Sequence, residues 1–258
     1  IASWGAGWKD TAWSALFGSY YRDLGDKTYH SNGIDGTAWK WPASVINYHS
    51  SHDEGTIQGV GFTKTGTLGT AAEARLAATH LLTAMGIPML WMGEEVGRVH
   101  YGNNTTNATS SASNAVPWTT LEIANAALKD YYAGLIALRK EHPNLRVAEA
   151  DPASSDAWSW NMTDGTASLW ESGVLAWVSK GAGDNAFAVF LNFTGTAKEW
   201  EAAFPGADAA WKLVADSASG EIEAAGIADR DLTVSGETAT VTVAAGQALV
   251  YMSPSLMP

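Results

Sequence analysis

Apolar and polar positions change their period along the chain, and the changes divide it into segments. Val45-Ile46-Asn47-Tyr48 is a short β-branched and aromatic run that predicts an extended, buried strand. The apolar character then stops, and His52-Asp53-Glu54 follow at the strand's C-terminal end. From Thr70 to Met85 the chain turns alanine- and leucine-rich. Thr70-Ala71-Ala72-Glu73 has the spacing of a capping box, Ala78, Leu81, Leu82 and Met85 share one helical face, and Gly86 supplies the stop. His80 lies inside this helix and reads as structural rather than as a ligand. A second apolar strand over residues 86–92 ends in Glu94-Glu95. The order is therefore strand, helix, strand, with polar residues at the same end of both strands. In a parallel α/β barrel that end faces the active site.

Residues 97–118 form a long polar loop rich in Asn, Ser and Thr. Thr119-Thr120-Leu121-Glu122 offers a second capping box. Leu128, Tyr131, Tyr132, Leu135 and Leu138 then recur at helical spacing, Arg139 and Lys140 suit a helix C-terminus, and Pro143 ends the element. After Asp151-Pro152 the period falls to that of strands. Val174–Val178, Phe187–Phe193, Trp211–Val214, Leu232–Val234, Ala239–Val243 and Ala248–Met252 are short apolar runs separated by Gly- and Asp-containing turns. This predicts α/β followed by all-β, the second part an antiparallel β-sandwich. The boundary falls near residue 148, giving segments 1–148 and 149–258. Residues 1–44 carry no clear period.

Composition narrows the function. The 258 residues include only 15 Lys plus Arg against 27 Asp plus Glu, a net charge of −12, which argues against a nucleic-acid partner. No apolar run reaches the ~18 residues of a membrane span. Absence of cysteine excludes disulfides and thiolate metal sites, and no metal-ligand spacing stands out. Thirteen Trp suit sugar stacking or core packing alike. The chain starts at Ile1 rather than Met, and is expected to be a piece of a longer product.

Several stretches, in order, resemble one family. Asn47-Tyr48-His49-Ser50-Ser51-His52-Asp53 resembles the fourth signature region of the α-amylase superfamily, glycoside hydrolase family 13. Gly86-Ile87-Pro88 through Gly93-Glu94-Glu95 resembles its eighth barrel strand. Gly102-Asn103-Asn104, Asn114-Ala115-Val116-Pro117-Trp118 and residues 135–143 are similar to the segments that follow in pullulanases and glycogen-debranching enzymes. The likeness runs from about Leu16 to Arg146.

This resemblance implies the C-terminal part of a (β/α)8 barrel, an antiparallel β domain behind it, and an α-glucan substrate. Glycosidic cleavage by two carboxylates needs an acid for the leaving oxygen and a carboxylate for the sugar carbon. In the family the nucleophile lies on the fourth barrel strand and the acid/base Glu on the fifth. Asp53 matches a third carboxylate that binds and distorts the sugar at the cleavage point, and His52 the histidine that hydrogen-bonds hydroxyls of the same sugar. Glu94 and Glu95 either bind substrate hydroxyls or brace the rim. Arg98, Asn103 and Asn104 are further contacts expected from the loop. Alignment of the fifth-strand motif puts Ala2 or Ala6 at the Glu position, or puts the Glu before Ile1. The chain by itself is therefore expected to be inactive. The missing N-terminal part is its expected partner, and calcium, known in the superfamily, has no assignable ligands. α-1,6 debranching is the expected parent activity. The alternatives are an α-1,4 amylase, a transglycosylating relative, or a non-catalytic glucan-binding subunit.

Overall fold

The computed structural model describes residues 46–50, 70–84, 87–99, 115–146, 158–160, 174–180, 186–205 and 209–256. Strand β1 (Ile46–Asn47) pairs in parallel with β2 (Ile87–Pro88), Ile46 opposite Ile87. Between them in sequence lies helix α1 (Ala71–Thr83). The strand–helix–strand order read from the sequence is thus present, and its two strands run the same way.

The capping box of α1 is formed. Thr70 Oγ1 accepts the Glu73 N–H at 3.1 Å, and the Thr70 N–H donates to Glu73 Oε2 at 2.6 Å. The helix stops at Thr83, with Ala84 already extended, two residues earlier than expected. The single apolar face predicted for it is a larger feature, because every residue from Leu76 to Ala84 is buried. A helix covered all round belongs to an interior layer.

The second capping box does not form. Helix α2 (Trp118–Ala124) begins one residue before Thr119, behind Pro117, with no side-chain cap, and the Glu122 carboxylate instead takes Lys129 Nζ at 2.7 Å. The expected single helix is also divided at Asn125, where α3 (Ala126–Glu141) starts. Its buried residues include all five predicted from the spacing: Leu128, Tyr131, Tyr132, Leu135 and Leu138.

Among the described residues nine strands follow: β3 (Trp158–Trp160), β4 (Val174–Lys180), β5 (Ala186–Asn192), β6 (Lys198–Ala203), β7 (Ala210–Asp216), β8 (Glu221–Ile222), β9 (Leu232–Thr233), β10 (Thr238–Val243) and β11 (Ala248–Met252). The main sheet has the order β3-β4-β5-β11-β7-β8, with β9 also on β7, and every pairing is antiparallel. β6 and β10 form a separate antiparallel ribbon. Alternation along the strands sorts the core into two clusters. Leu175, Trp177, Phe187, Val189, Leu191 and Val250 join α1 and α3. Ala176, Ala188, Phe190, Leu213, Leu249 and Tyr251 join Phe204, Val241 and Val243 beside the ribbon. The sheet is therefore a middle layer, covered by helices on one face and by the ribbon on the other. That explains why Ala186 to Asn192 are buried without exception, a pattern unusual for antiparallel strands.

Polar contacts fasten the helical layer to the sheet. Arg75 Nε donates to Ser217 O at 2.5 Å and its Nη2 to Ala218 O at 3.0 Å. Gly134 on α3 lies where β8 crosses it, since a Cβ there would stand 2.6 Å from Ile222 Cγ2. Arg139, read from sequence as a helix-end charge, is buried. Its Nη1 donates to Leu82 O, Ala84 O and Leu145 O at 3.0, 2.8 and 2.6 Å.

Candidate functional site

Two described segments follow the C-terminal ends of the parallel strands. After β1 come Tyr48, His49 and Ser50, the last two buried. His49 Nε2 lies 2.8 Å from Ala77 O and 3.2 Å from His80 Nδ1. A carbonyl only accepts, so the proton resides on His49 Nε2, and His80 Nδ1 faces that N–H as an acceptor. His80 in turn meets Trp177 of the sheet edge-on, with centroids 6.2 Å apart. Burial, offset in part by the Ala77 carbonyl, lowers the His49 pKa to about 4. Burial and then the neighbouring His49 hold His80 well below its ordinary value. Both rings are neutral at neutral pH. They tie the end of β1 to the middle of α1, and this is the structural role expected of His80.

After β2 the chain makes a tight turn. Gly93 takes φ +91° and leads into a single 3-10 turn, Glu94–Val96. Gly93 O accepts the N–H groups of Val96 and Arg98 at 3.2 and 2.8 Å. A Cβ on Gly93 would stand 2.9 Å from Arg98 Cβ, so both conformation and space require glycine there. Glu94 is fully buried, and its Oε2 accepts the Trp91 N–H at 3.2 Å. Its Oε1 makes no hydrogen bond among the described residues, and neither does the buried hydroxyl of Tyr132 on α3. Burial raises the Glu94 pKa to about 8; the Trp91 N–H pulls it down and the Glu95 charge pushes it up. Glu94 is thus a neutral acid at pH 7. Glu95 accepts the Gly93 N–H at 3.1 Å. Arg98, also buried, places its guanidinium carbon 5.7 Å from the Trp91 ring centroid and donates to Met92 O at 3.2 Å. Asn125, at the break between α2 and α3, donates to Val96 O at 2.9 Å and anchors the turn from below.

Of the residues singled out from sequence, Glu94 and Arg98 come together in this turn, and both are engaged in holding it. His52, Asp53, Glu54, Asn103 and Asn104, and the alanines Ala2 and Ala6, lie outside the described residues. Sequence reasoning missed the pairing of His49 with His80. Its signal was one imidazole inside an otherwise alanine- and leucine-rich helix. Among the described residues no group of three His, Cys, Asp or Glu is placed to hold a metal ion, and no helix is long and apolar enough to cross a membrane.

No protein-family model matches the chain. An isoamylase from Flavobacterium sp. is 31% identical over 199 residues, which cover 69% of this chain and 24% of that protein. This likeness bears out the resemblance to the α-amylase superfamily. A glycogen debranching enzyme from Pectobacterium carotovorum is 33% identical over 105 residues, 40% of this chain and 16% of that enzyme. The chain thus spans a quarter or less of the length of these superfamily relatives. Pullulanase from Bacillus acidopullulyticus shares the fold, with a TM-score of 0.65 at 20% identity, over 93% of this chain and 29% of the pullulanase.

Proposed function

We propose that the chain is the C-terminal part of an α-glucan hydrolase that cleaves α-1,6 branch points. The observation that carries this reading is the 31% identity with isoamylase over 199 residues, accompanied by relatives named as debranching enzymes. In this reading residues 1–148 complete a (β/α)8 barrel begun upstream, and residues 149–258 form the β domain. The parallel β1–α1–β2 unit supports it, because such pairs are the building unit of that barrel. The substrate is an α-glucan, and a related pullulanase has been solved with bound maltotetraose.

Roles follow from the motif positions. Asp53 helps distort the sugar and supports positive charge as the bond breaks, and His52 grips its hydroxyls. Asn103 and Asn104 contact the sugar from the loop. Glu94 and Arg98 act on substrate indirectly, by fixing the turn after β2. Nucleophile and acid/base come from the upstream strands.

The reading is tested on the complete enzyme with amylopectin, following anomeric protons by NMR. The α-1,6 signal disappears while the α-1,4 signal persists. Loss of the α-1,4 signal first would make the enzyme an amylase. Asp53→Asn lowers kcat by about 10²–10³ with a smaller change in KM, as expected for help given mainly in the transition state. A folded variant with near-normal kcat removes Asp53 from the site.

A further inference from the structure

At the far end of α3 from the Glu94 turn lies a cavity of about 310 Å³. Leu82, Pro88, Leu90 and Ile136 make its floor, and Arg139, Lys140 and Arg146 complete the lining. Asn125 and Lys140 are fifteen helical steps apart, so Lys140 stands about 20 Å along α3 from the Asn125 anchor of the turn after β2, although Leu90 on the apolar side is only four residues before Glu94. The cationic end of the cavity is therefore a different place from the Glu94 turn.

Its charge is the reverse of the chain's. Among the described residues no acidic side chain lines it, while three basic ones do. The three cations differ in what they can offer. Arg139 is buried, with its Nη1 on three carbonyls, and contributes charge from beneath. Arg146 is exposed and donates from Nη2 to Lys140 O at 3.2 Å, which leaves most of its donors open. Lys140 is exposed and offers three ammonium protons. The C-terminus of α3 opposes an anion here with about half a negative charge. Three full positive charges outweigh it.

An apolar floor beneath a cationic rim matches one ligand chemistry. The volume stands at the small end of ligand pockets, roughly 300–1,000 Å³, and such pockets are mainly apolar with a few orienting polar groups. We propose that this cavity binds a phosphate monoester with a short apolar body. The dianionic head meets Lys140 and Arg146, and the body lies on Leu82, Leu90 and Ile136. A purely polar sugar phosphate would leave the floor unused, and a neutral apolar molecule would leave the rim unused.

The probe is n-hexyl phosphate, titrated calorimetrically into the full-length protein, with inorganic phosphate and 1-hexanol as controls. Saturable one-to-one binding is expected, at least about tenfold tighter than either control. Both rim cations are exposed, so Lys140→Ala and Arg146→Ala leave the fold intact. Each weakens hexyl phosphate by about two- to fivefold and the pair by about tenfold, the range of exposed ion pairs. Ile136→Ala weakens hexyl phosphate but not inorganic phosphate. Unchanged affinity in the double variant, or no saturation by millimolar probe, overturns the proposal.

Discussion

The two faces of the main sheet meet different partners, although they are built from alternate residues of the same strands. On one side Trp177 meets His80 of α1, inside a cluster that also holds Tyr131, Tyr132 and Leu135 of α3. On the other Trp211 packs edge-on against Phe204, with centroids 4.9 Å apart, among Phe190, Tyr251 and the residues of the β6–β10 ribbon. The first face joins segments far apart in the chain and leads, through His80 and His49, to the strand that precedes His52-Asp53. The second stays within the last third of the sequence. Equal burial therefore serves unequal purposes: one face links the helices to the sheet, and the other closes the sheet on itself.

The largest effects come from emptying each face. Trp177→Ala and Trp211→Ala should each cost about 3–5 kcal/mol, as large aromatic deletions do. The sites of local opening should differ. Hydrogen exchange in the Trp177 variant should accelerate first in α1, and in the Trp211 variant first in β6 and β10. The same exchange pattern in both would mean that the faces are not separable.

A smaller effect tests the fit of helices to sheet. Gly134→Ala gains roughly 0.5–1 kcal/mol of helix propensity, yet its methyl would collide with Ile222. Overpacking costs typically 1–3 kcal/mol, so a net loss of about 1–2 kcal/mol is expected. Adding Ile222→Ala should recover part of it in a double-mutant cycle. A stabilised single variant would show that β8 yields easily.

The smallest effects are slopes with pH, and they have opposite signs. His49 has its pKa lowered from 6.5 to about 4, so in that window the unfolded chain binds a proton that the native state refuses. Stability from this group is complete above pH 6.5 and falls as pH drops towards 4. Glu94 has its pKa raised from 4.5 to about 8, so the native state keeps a proton that the unfolded chain releases. Its contribution is complete below pH 4.5 and falls as pH rises towards 8. Denaturant midpoints across pH 4–9 should show the alkaline slope flattened in Glu94→Gln and the acid slope unchanged. An unaltered alkaline slope in that variant would falsify the burial of an ionisable Glu94.

Much of the secondary structure was legible because its signals were local. Thr70 and Glu73 form their box wherever the helix packs, and the five apolar positions of α3 follow from period alone. What escaped depended on tertiary partners. Thr119 and Glu122 have the right spacing, but Pro117 starts the helix a residue earlier and Lys129 claims the carboxylate. Lys198–Ala203 was not read as a strand because its charged residues hide a segment that forms only against β10. The candidate site was readable as a motif, whereas its supports were not. Arg139 carries a surface residue's signature and turns inward to carbonyls contributed by two segments. His80 takes its meaning from His49, thirty-one residues earlier.

The double cover of the main sheet bears on how the protein can be divided. A cut near residue 148, where helix gives way to strand, would follow the sequence pattern but pass through the larger core cluster. The released β part would present Leu175, Trp177, Phe187, Val189, Leu191 and Val250 to water on one continuous surface. A patch of that kind drives self-association rather than solubility. Fusion partners, affinity tags and truncations are better placed in an exposed turn such as Gly236-Glu237, where a side chain on Gly236 would meet no neighbour.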